Sequence, residues 1–312
     1  MRRVPVLVLL LALAQPAHSF APTTHTRPRL ASRAVRACAT PQADDEPPKI
    51  AELLAANAPA APEFAFDEDI AVPYMQQALR FQWPRVLFFA ANPLIFVPIA
   101  AIAALVFRLP FLHIRALFVR SAAIWGAGLA VILLAVLHVL ERFVPALVEV
   151  TRASKTITLY AMGPRLLPLR ALGASAVISL SAAVGEEVAF RGVLMAGLRR
   201  LLLACALPAR AATAAAIVVQ AVIFGKLHSY TSSGAYWLVA AGVGLLFGLA
   251  CATTGSLAVA VWMHFCLDLT SFAVCHFQVS TAGDAEQLAL VNSDSPVATM
   301  LRGALLQPYG RG

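Results

Sequence analysis

Long apolar stretches without a formal charge constrain this chain more than any other feature. Residues 86–107 and 121–140 contain no Asp, Glu, Lys or Arg, and each is long enough to cross about 30 Å of hydrocarbon as a helix. Of the 312 residues, 60% are hydrophobic and 13% are charged, whereas a soluble domain has about 45–50% apolar and about 25% charged residues. One soluble core cannot bury this excess, so we expect the chain to lie in a bilayer.

The predicted fold class is all-α, a polytopic membrane bundle of roughly six transmembrane helices. Strand-like alternation is absent, which argues against a membrane barrel. Four further apolar segments follow the first two, at residues 171–198, 201–225, 236–252 and 256–277, and the first part of 201–225 could form a separate short helix. Arg199 and Arg200 are expected to end the third span.

The segments outside these spans are polar. Residues 44–84 are predicted to be a polar extension, 86–280 the membrane domain, and 281–312 a loose tail. Residues 141–170 are mixed in composition, which favours a loop with an interfacial helix.

The N-terminus has the composition of a targeting segment. Residues 1–19 combine a basic start with a short apolar run, as in a secretory signal peptide, and residues 20–43 are basic, hydroxyl-rich and free of acids, as in a transit peptide. This arrangement, with Phe20 at the junction, resembles the two-part presequence of algae with secondary plastids. It predicts a plastid membrane protein, in the thylakoid or the envelope. The alternative is a secretory signal followed by a linker, which would place the protein in the endomembrane system.

The formal net charge of +8 at pH 7 comes mainly from arginines beside apolar runs. A positive net charge can indicate nucleic-acid binding, but no basic stretch is interleaved with aromatic residues as single-strand binding requires. The pattern instead favours anchoring at anionic lipid headgroups. The expected partner is therefore the lipid bilayer, and no nucleic acid.

Three charged residues interrupt the third apolar segment. A charge at this depth costs about 2.5–3.5 kcal/mol on insertion scales, so Glu186, Glu187 and Arg191 need compensation. Glu187 and Arg191 are four apart and can pair on one helix face. A structural ion pair accounts for these two residues, but it leaves Glu186, about 100° around the axis, without a partner.

Two histidines and one further acid lie in other apolar segments. His228 follows the apolar run 217–224, and His264 and Asp268 are four apart on one face within 258–277. A lone histidine of this kind is usually a packed, hydrogen-bonded residue. Three helices that each carry acid or imidazole groups near membrane depth instead predict one intramembrane site, suited to water activation and oxyanion stabilisation. We expect Glu186 to lie within one bridging water of His228.

These residues form an ordered set of motifs. Glu186, Glu187 and Arg191 resemble the EExxxR motif of the CAAX-protease and bacteriocin-processing family. Residues 224–228 are similar to its FxxxH motif, and His264 and Asp268, after the Thr-Gly-Ser turn at 254–256, to its closing HxxxN/D motif. The resemblance covers residues 171–277.

The resemblance implies an intramembrane endopeptidase acting on a protein or peptide substrate in the membrane. Glu186 and His228 would activate the water, His264 and Asp268 would hold the oxyanion, and Glu187 and Arg191 would support the site. Prenyl-protein proteases of the family typically have Asn where this chain has Asp268. An ionised Asp only accepts hydrogen bonds, so it could orient His264, stay protonated in an apolar pocket, or help to bind a metal.

A cofactor-free glutamate mechanism is favoured, with a divalent metal such as zinc as the alternative, since two histidines and several carboxylates are suitable ligands. Two other classes of function stay open at this point. One is a non-proteolytic membrane scaffold or assembly factor on the same fold. The other is a transporter that uses the buried charges as an ion path, although the inverted repeats typical of transporters are absent.

Overall fold

Every regular element in the described part of the chain is helical. The computed structural model describes residues 75–109, 119–228, 235–293 and 298–299. Its α-helices are α1 (Trp83–Leu94), α2 (Phe96–Phe107), α3 (Arg120–Glu141), α4 (Pro145–Met162), α5 (Pro168–Glu187), α6 (Ala196–Ala204), α7 (Ala209–Leu227), α8 (Ala235–Thr254), α9 (Leu257–Thr281) and α10 (Asp284–Val291), and a π-helix (Val188–Met195) joins α5 to α6.

Six helical segments of the described chain are long and apolar enough to cross a membrane. The first combines α1 and α2, the third combines α5, the π-helix and α6, and the others are α3, α7, α8 and α9. The predicted all-α membrane architecture is confirmed. Residues 1–43, the predicted presequence, lie outside the described residues.

The first span is broken, although the sequence suggested one continuous helix. Pro93 lies in the last turn of α1, and the chain restarts at Phe96. Proline has no backbone N–H to donate and crowds the preceding turn, so it weakens a helix at this point. Gly185 of α5 packs directly against the backbone of Pro93, where a Cβ would collide, and Ser181 donates a hydrogen bond to the carbonyl of Ala90. The break therefore lies against the helix that carries the paired glutamates.

The third span is longer than expected. The prediction that Arg199 and Arg200 end it is wrong, because the helix continues to Ala204. Arginine is a good helix former, and its long side chain can reach the headgroup layer from a helix end. The chain turns only at Ala206, which has a φ of +62°, and α7 then begins after Pro208. The next span is thus 209–227 rather than 201–225.

The segments on either side of the bundle are more ordered than the sequence indicated. Helix α4 contributes the fully buried Leu159 to a cluster with Met75 and Leu79, which precede the first span. Helix α10 contributes Leu290 and Val291 to the same cluster. The C-terminal region therefore differs from the expected loose tail, since it is helical as far as Val291.

Helix α9 forms the centre of the bundle. Its residues Val259, Ala260 and Met263 share a core cluster with α3 and with Phe247 of α8. Gly126 of α3 allows the close approach of α9, because a Cβ there would lie 2.5 Å from the Cβ of Trp262. This packing fixes the depth of α9, and with it the position of His264.

Candidate active site

The first element of the site is an ion pair between the last residue of α5 and the π-helix that follows it. The Nη1 of Arg191 lies 2.8 Å from the Oε1 of Glu187, and both side chains are fully buried. A π-helix is rare and is often found at functional sites, because its wider turn displaces side chains from the regular α-helical positions. The sequence correctly predicted the pairing of Glu187 with Arg191.

Arg191 also makes contacts that link it to two other helices. Its Nη2 donates a hydrogen bond of 3.0 Å to the carbonyl oxygen of Gly244 on α8. The guanidinium carbon lies 4.6 Å from the ring centroid of Phe224 and 5.3 Å from that of Phe247. Cations over aromatic faces are stabilised, and more strongly where water is excluded. Arg191 thus links α7 and α8 to the π-helix on which it lies.

His264 lies between two carboxylates. Its Nδ1 is 2.9 Å from the Oε1 of Glu187, the same oxygen that Arg191 contacts. Its Nε2 is 3.3 Å from the Oδ2 of Asp268, one helical turn further along α9. An ionised carboxylate is only an acceptor, so each ring nitrogen that bonds to one must carry a hydrogen. When both carboxylates are ionised, this arrangement favours a doubly protonated, cationic imidazole.

Glu186 faces the other histidine. Its Oε2 lies 3.8 Å from the Nε2 of His228, which is longer than a direct hydrogen bond. This oxygen is buried and has no hydrogen-bond partner among the described residues. Glu186 is also within electrostatic range of His264 and Asp268. The three helices therefore converge, as the sequence suggested, and the Glu186–His228 separation suits a bridging water.

The backbone fixes the tautomer of His228. Its Nδ1 lies 2.8 Å from the carbonyl oxygen of Phe224, which can only accept, so Nδ1 carries the hydrogen. In the neutral ring, Nε2 then presents its lone pair towards Glu186. The imidazole ring lies 4.4 Å from the ring of Phe224 and stacks with that of Tyr236 at 6.3 Å. These contacts fix the plane of the ring at the end of α7.

Three residues of this region were missed by the sequence reasoning. Gln220 of α7 is fully buried, and its Nε2 donates to the carbonyl of Gly244 at 3.0 Å. The same carbonyl accepts from Arg191. Gly248 makes room for the amide, since a Cβ there would lie 2.7 Å from the Nε2 of Gln220. A lone glutamine in an apolar helix and a pair of glycines four apart are signals that could have indicated this helix contact.

The acidic and imidazole side chains of the site also bear on metal binding. In the described chain, no group of three or more His, Cys, Asp or Glu side chains is arranged to hold a metal ion. In particular, the Oε1 of Glu187 and the Nδ1 of His264 bond to each other rather than facing a common point.

One comparison with known proteins matches the region of the chain that contains all six predicted site residues, namely Glu186, Glu187, Arg191, His228, His264 and Asp268. Residues 168–270 match a family model described as type II CAAX prenyl endopeptidase Rce1-like. The comparisons with curated proteins and with solved structures find no match. The family resemblance carried by the motifs is confirmed. The chain is an integral membrane protein, and its residues 168–270 are similar to the Rce1-like family of type II CAAX prenyl endopeptidases.

Proposed function

We propose that the chain hydrolyses a peptide bond within the membrane, using a water activated by Glu186 and His228. The observation that carries the proposal is the facing pair of Glu186 Oε2 and His228 Nε2 at 3.8 Å. One water between them can donate a hydrogen to each acceptor. Its remaining lone pairs are then available to attack a carbonyl carbon.

The two acceptors have different roles in this proposal. The carboxylate of Glu186 takes a proton as the water oxygen bonds to the carbonyl carbon. The neutral Nε2 of His228 holds the second hydrogen and aligns the water. The proton on Glu186 then passes to the leaving nitrogen as the C–N bond breaks, which gives one carboxylic acid and one amine. Glu186 is returned to its starting state.

His264 is the candidate for oxyanion stabilisation. The doubly protonated ring carries positive charge and is held from behind by Glu187, which Arg191 fixes in turn. In the described chain, Asp268 is the only partner of the Nε2 of His264, and the Asp268 side chain is partly exposed. Of the three roles left open for Asp268, orientation of His264 fits this geometry best. In the reaction, the side chain of Asp268 gives up the Nε2–H of His264, which then donates to the developing oxyanion.

The substrate is a protein or peptide segment that reaches the site from the bilayer. The localisation proposed is a plastid membrane, thylakoid or envelope, and it rests on the composition of residues 1–43 alone.

The decisive experiment is a peptidase assay of the purified full chain in detergent, with a library of quenched fluorescent peptides. Glu186→Gln is nearly isosteric and removes the base, so cleavage should fall by about 10²-fold or more with little change in thermal stability. The matched control is Glu149→Gln, the same change at an exposed position on α4, which should cleave normally. A stable Glu186→Gln variant with full activity would overturn the proposed mechanism. If neither the wild type nor any variant cleaves a peptide, the alternative function, a non-proteolytic membrane scaffold on the same fold, is favoured.

The metal alternative is tested in the same assay. The proposed mechanism predicts that activity survives exhaustive treatment with 1,10-phenanthroline or EDTA. Activity that is lost with the chelator and regained on addition of Zn²⁺ would replace the glutamate mechanism with a metal-dependent one.

A further inference from the structure

One end of the helical bundle carries arginines without acids. Helix α2 ends at Phe107, α6 carries Arg199 and Arg200, and α7 begins at Ala209. These ends lie together, because the Nη1 of Arg200 donates to the carbonyl of Phe107 at 2.9 Å and to that of Arg108 at 3.3 Å. We define the basic end by five exposed residues, Arg108, Arg120, Arg199, Arg200 and Arg210.

The membership of Arg120 and Arg210 follows from the path of the chain. Arg120 begins α3, and the connection 108–119 joins two consecutive spans, so α3 starts on the side where α2 ends. Arg210 lies in the first turn of α7, and the Nε of Arg199 donates to Thr213 in that same region at 3.0 Å. Five guanidinium groups therefore lie at one side of the bundle.

No carboxylate balances these groups locally. The sequence contains no Asp or Glu in 96–120 or in 196–213. In the part of the chain that the structure describes, no arginine of the basic end forms a salt bridge. The opposite end is different, since α3 ends there with Glu141, and Lys155 pairs with Glu286 at 3.6 Å. The opposite end thus carries acids beside its basic residues, whereas the segments that form the basic end contain none.

The surroundings of the basic end match the boundary between headgroups and acyl chains. Leu201 and Leu203 lie within the three residues after Arg200 and are 48% and 37% exposed, and Val106 is 62% exposed. Exposed aliphatic side chains next to arginines can enter the acyl region while the guanidinium groups reach the phosphates. One guanidinium group can bind two phosphate oxygens at once through two parallel N–H donors, a geometry that the lysine ammonium group cannot provide.

We propose that the basic end is a binding surface for the phosphate headgroups of anionic phospholipids in one leaflet. The Arg199–Arg200 pair forms its centre, because α6 holds these two residues between α2 and α7. The surface lies roughly 20 Å along the helix from Glu186 and does not depend on the peptidase chemistry.

The test compares two lipids with the same acyl chains. The full chain is purified in a neutral detergent and titrated with dioleoyl phosphatidylglycerol or dioleoyl phosphatidylcholine, and the rise in unfolding temperature gives the apparent affinity. We expect the wild type to prefer phosphatidylglycerol. Arg199→Gln combined with Arg210→Gln should weaken that preference by about fivefold per arginine removed, or about 25-fold in total.

The matched control is Arg142→Gln combined with Arg165→Gln, which removes two exposed arginines outside the basic end. Each variant is compared with its own lipid-free midpoint, so a change in basal stability does not affect the result. Equal losses in the two double variants, or equal responses of the wild type to both lipids, would overturn the proposal. A response to inorganic phosphate as large as that to the lipid would also overturn it, because the site would then bind a free anion.

Discussion

Replacement of Arg191 by Met tests how the buried ion pair supports the site. Methionine has a similar length and no charge, so the change removes the ion pair without a large cavity. Among the described residues, Glu187 then keeps the hydrogen bond from His264, and the carbonyl of Gly244 keeps the donor from Gln220. Breaking a buried pair on one side costs about 3–5 kcal/mol. Because both acceptors keep one partner, we expect a loss near the lower limit, about 3 kcal/mol.

The loss can be measured by reversible unfolding in mixed detergent micelles, followed by tryptophan fluorescence. Arg165→Met is the matched control. Its side chain is exposed, and its loss should stay within about 0.5 kcal/mol. The double variant, Glu187→Gln with Arg191→Met, removes both charges and should recover at least about 1 kcal/mol relative to Arg191→Met. A single variant that loses less than about 1 kcal/mol, or a double variant that equals the sum of the two singles, would refute the reasoning.

Further predictions concern the helix contact, the second histidine and targeting. Gly248→Val should displace the amide of Gln220 and destabilise the chain by about 1–3 kcal/mol, whereas Gly242→Val, where a Cβ meets open space, should change the same unfolding midpoint little. His264→Ala should lower kcat by about 10²–10³ with a smaller effect on KM; an effect on KM alone would remove its assignment to the oxyanion. Phe20→Ala in a fluorescent fusion should divert import from the plastid, and unchanged import would contradict the two-part presequence.

The sequence predicted the membrane helices well because a bilayer imposes length and composition on each span. The charge-free segments became spans, and the acids and histidines within apolar helices converged because burial forces such groups to find partners. The ends of spans were predicted less well. Arg199 and Arg200 were expected to stop a helix, but a snorkelling side chain permits helix at that depth, and the turn was fixed by Ala206 instead.

The contacts that determine the chemistry were less accessible from the sequence. Spacing along α5 indicated that Glu187 pairs with Arg191, but it could not show that His264 shares the same oxygen, since 77 positions separate the two residues. The carbonyl of Gly244 is a backbone group, and no residue type marks it as an acceptor for two buried donors. The π-helix was also not predicted, because residues 188–195 have an ordinary helical composition.

The π-helix has a consequence for how insertions and deletions would act on this chain. A π-helix closes its hydrogen bonds one residue further along than an α-helix does, so Val188–Met195 stores an additional residue within a continuous span. Deletion of Leu194 would allow the segment to relax to α-helical geometry, and later residues would keep nearly the same orientation because the π-helix had absorbed the additional residue. A one-residue deletion in a regular α-helical part of the same span would instead rotate the following residues by about 100°. The π-helix is thus the part of the third span where a change of one residue in length can leave the α6 arginines facing the ends of α2 and α7.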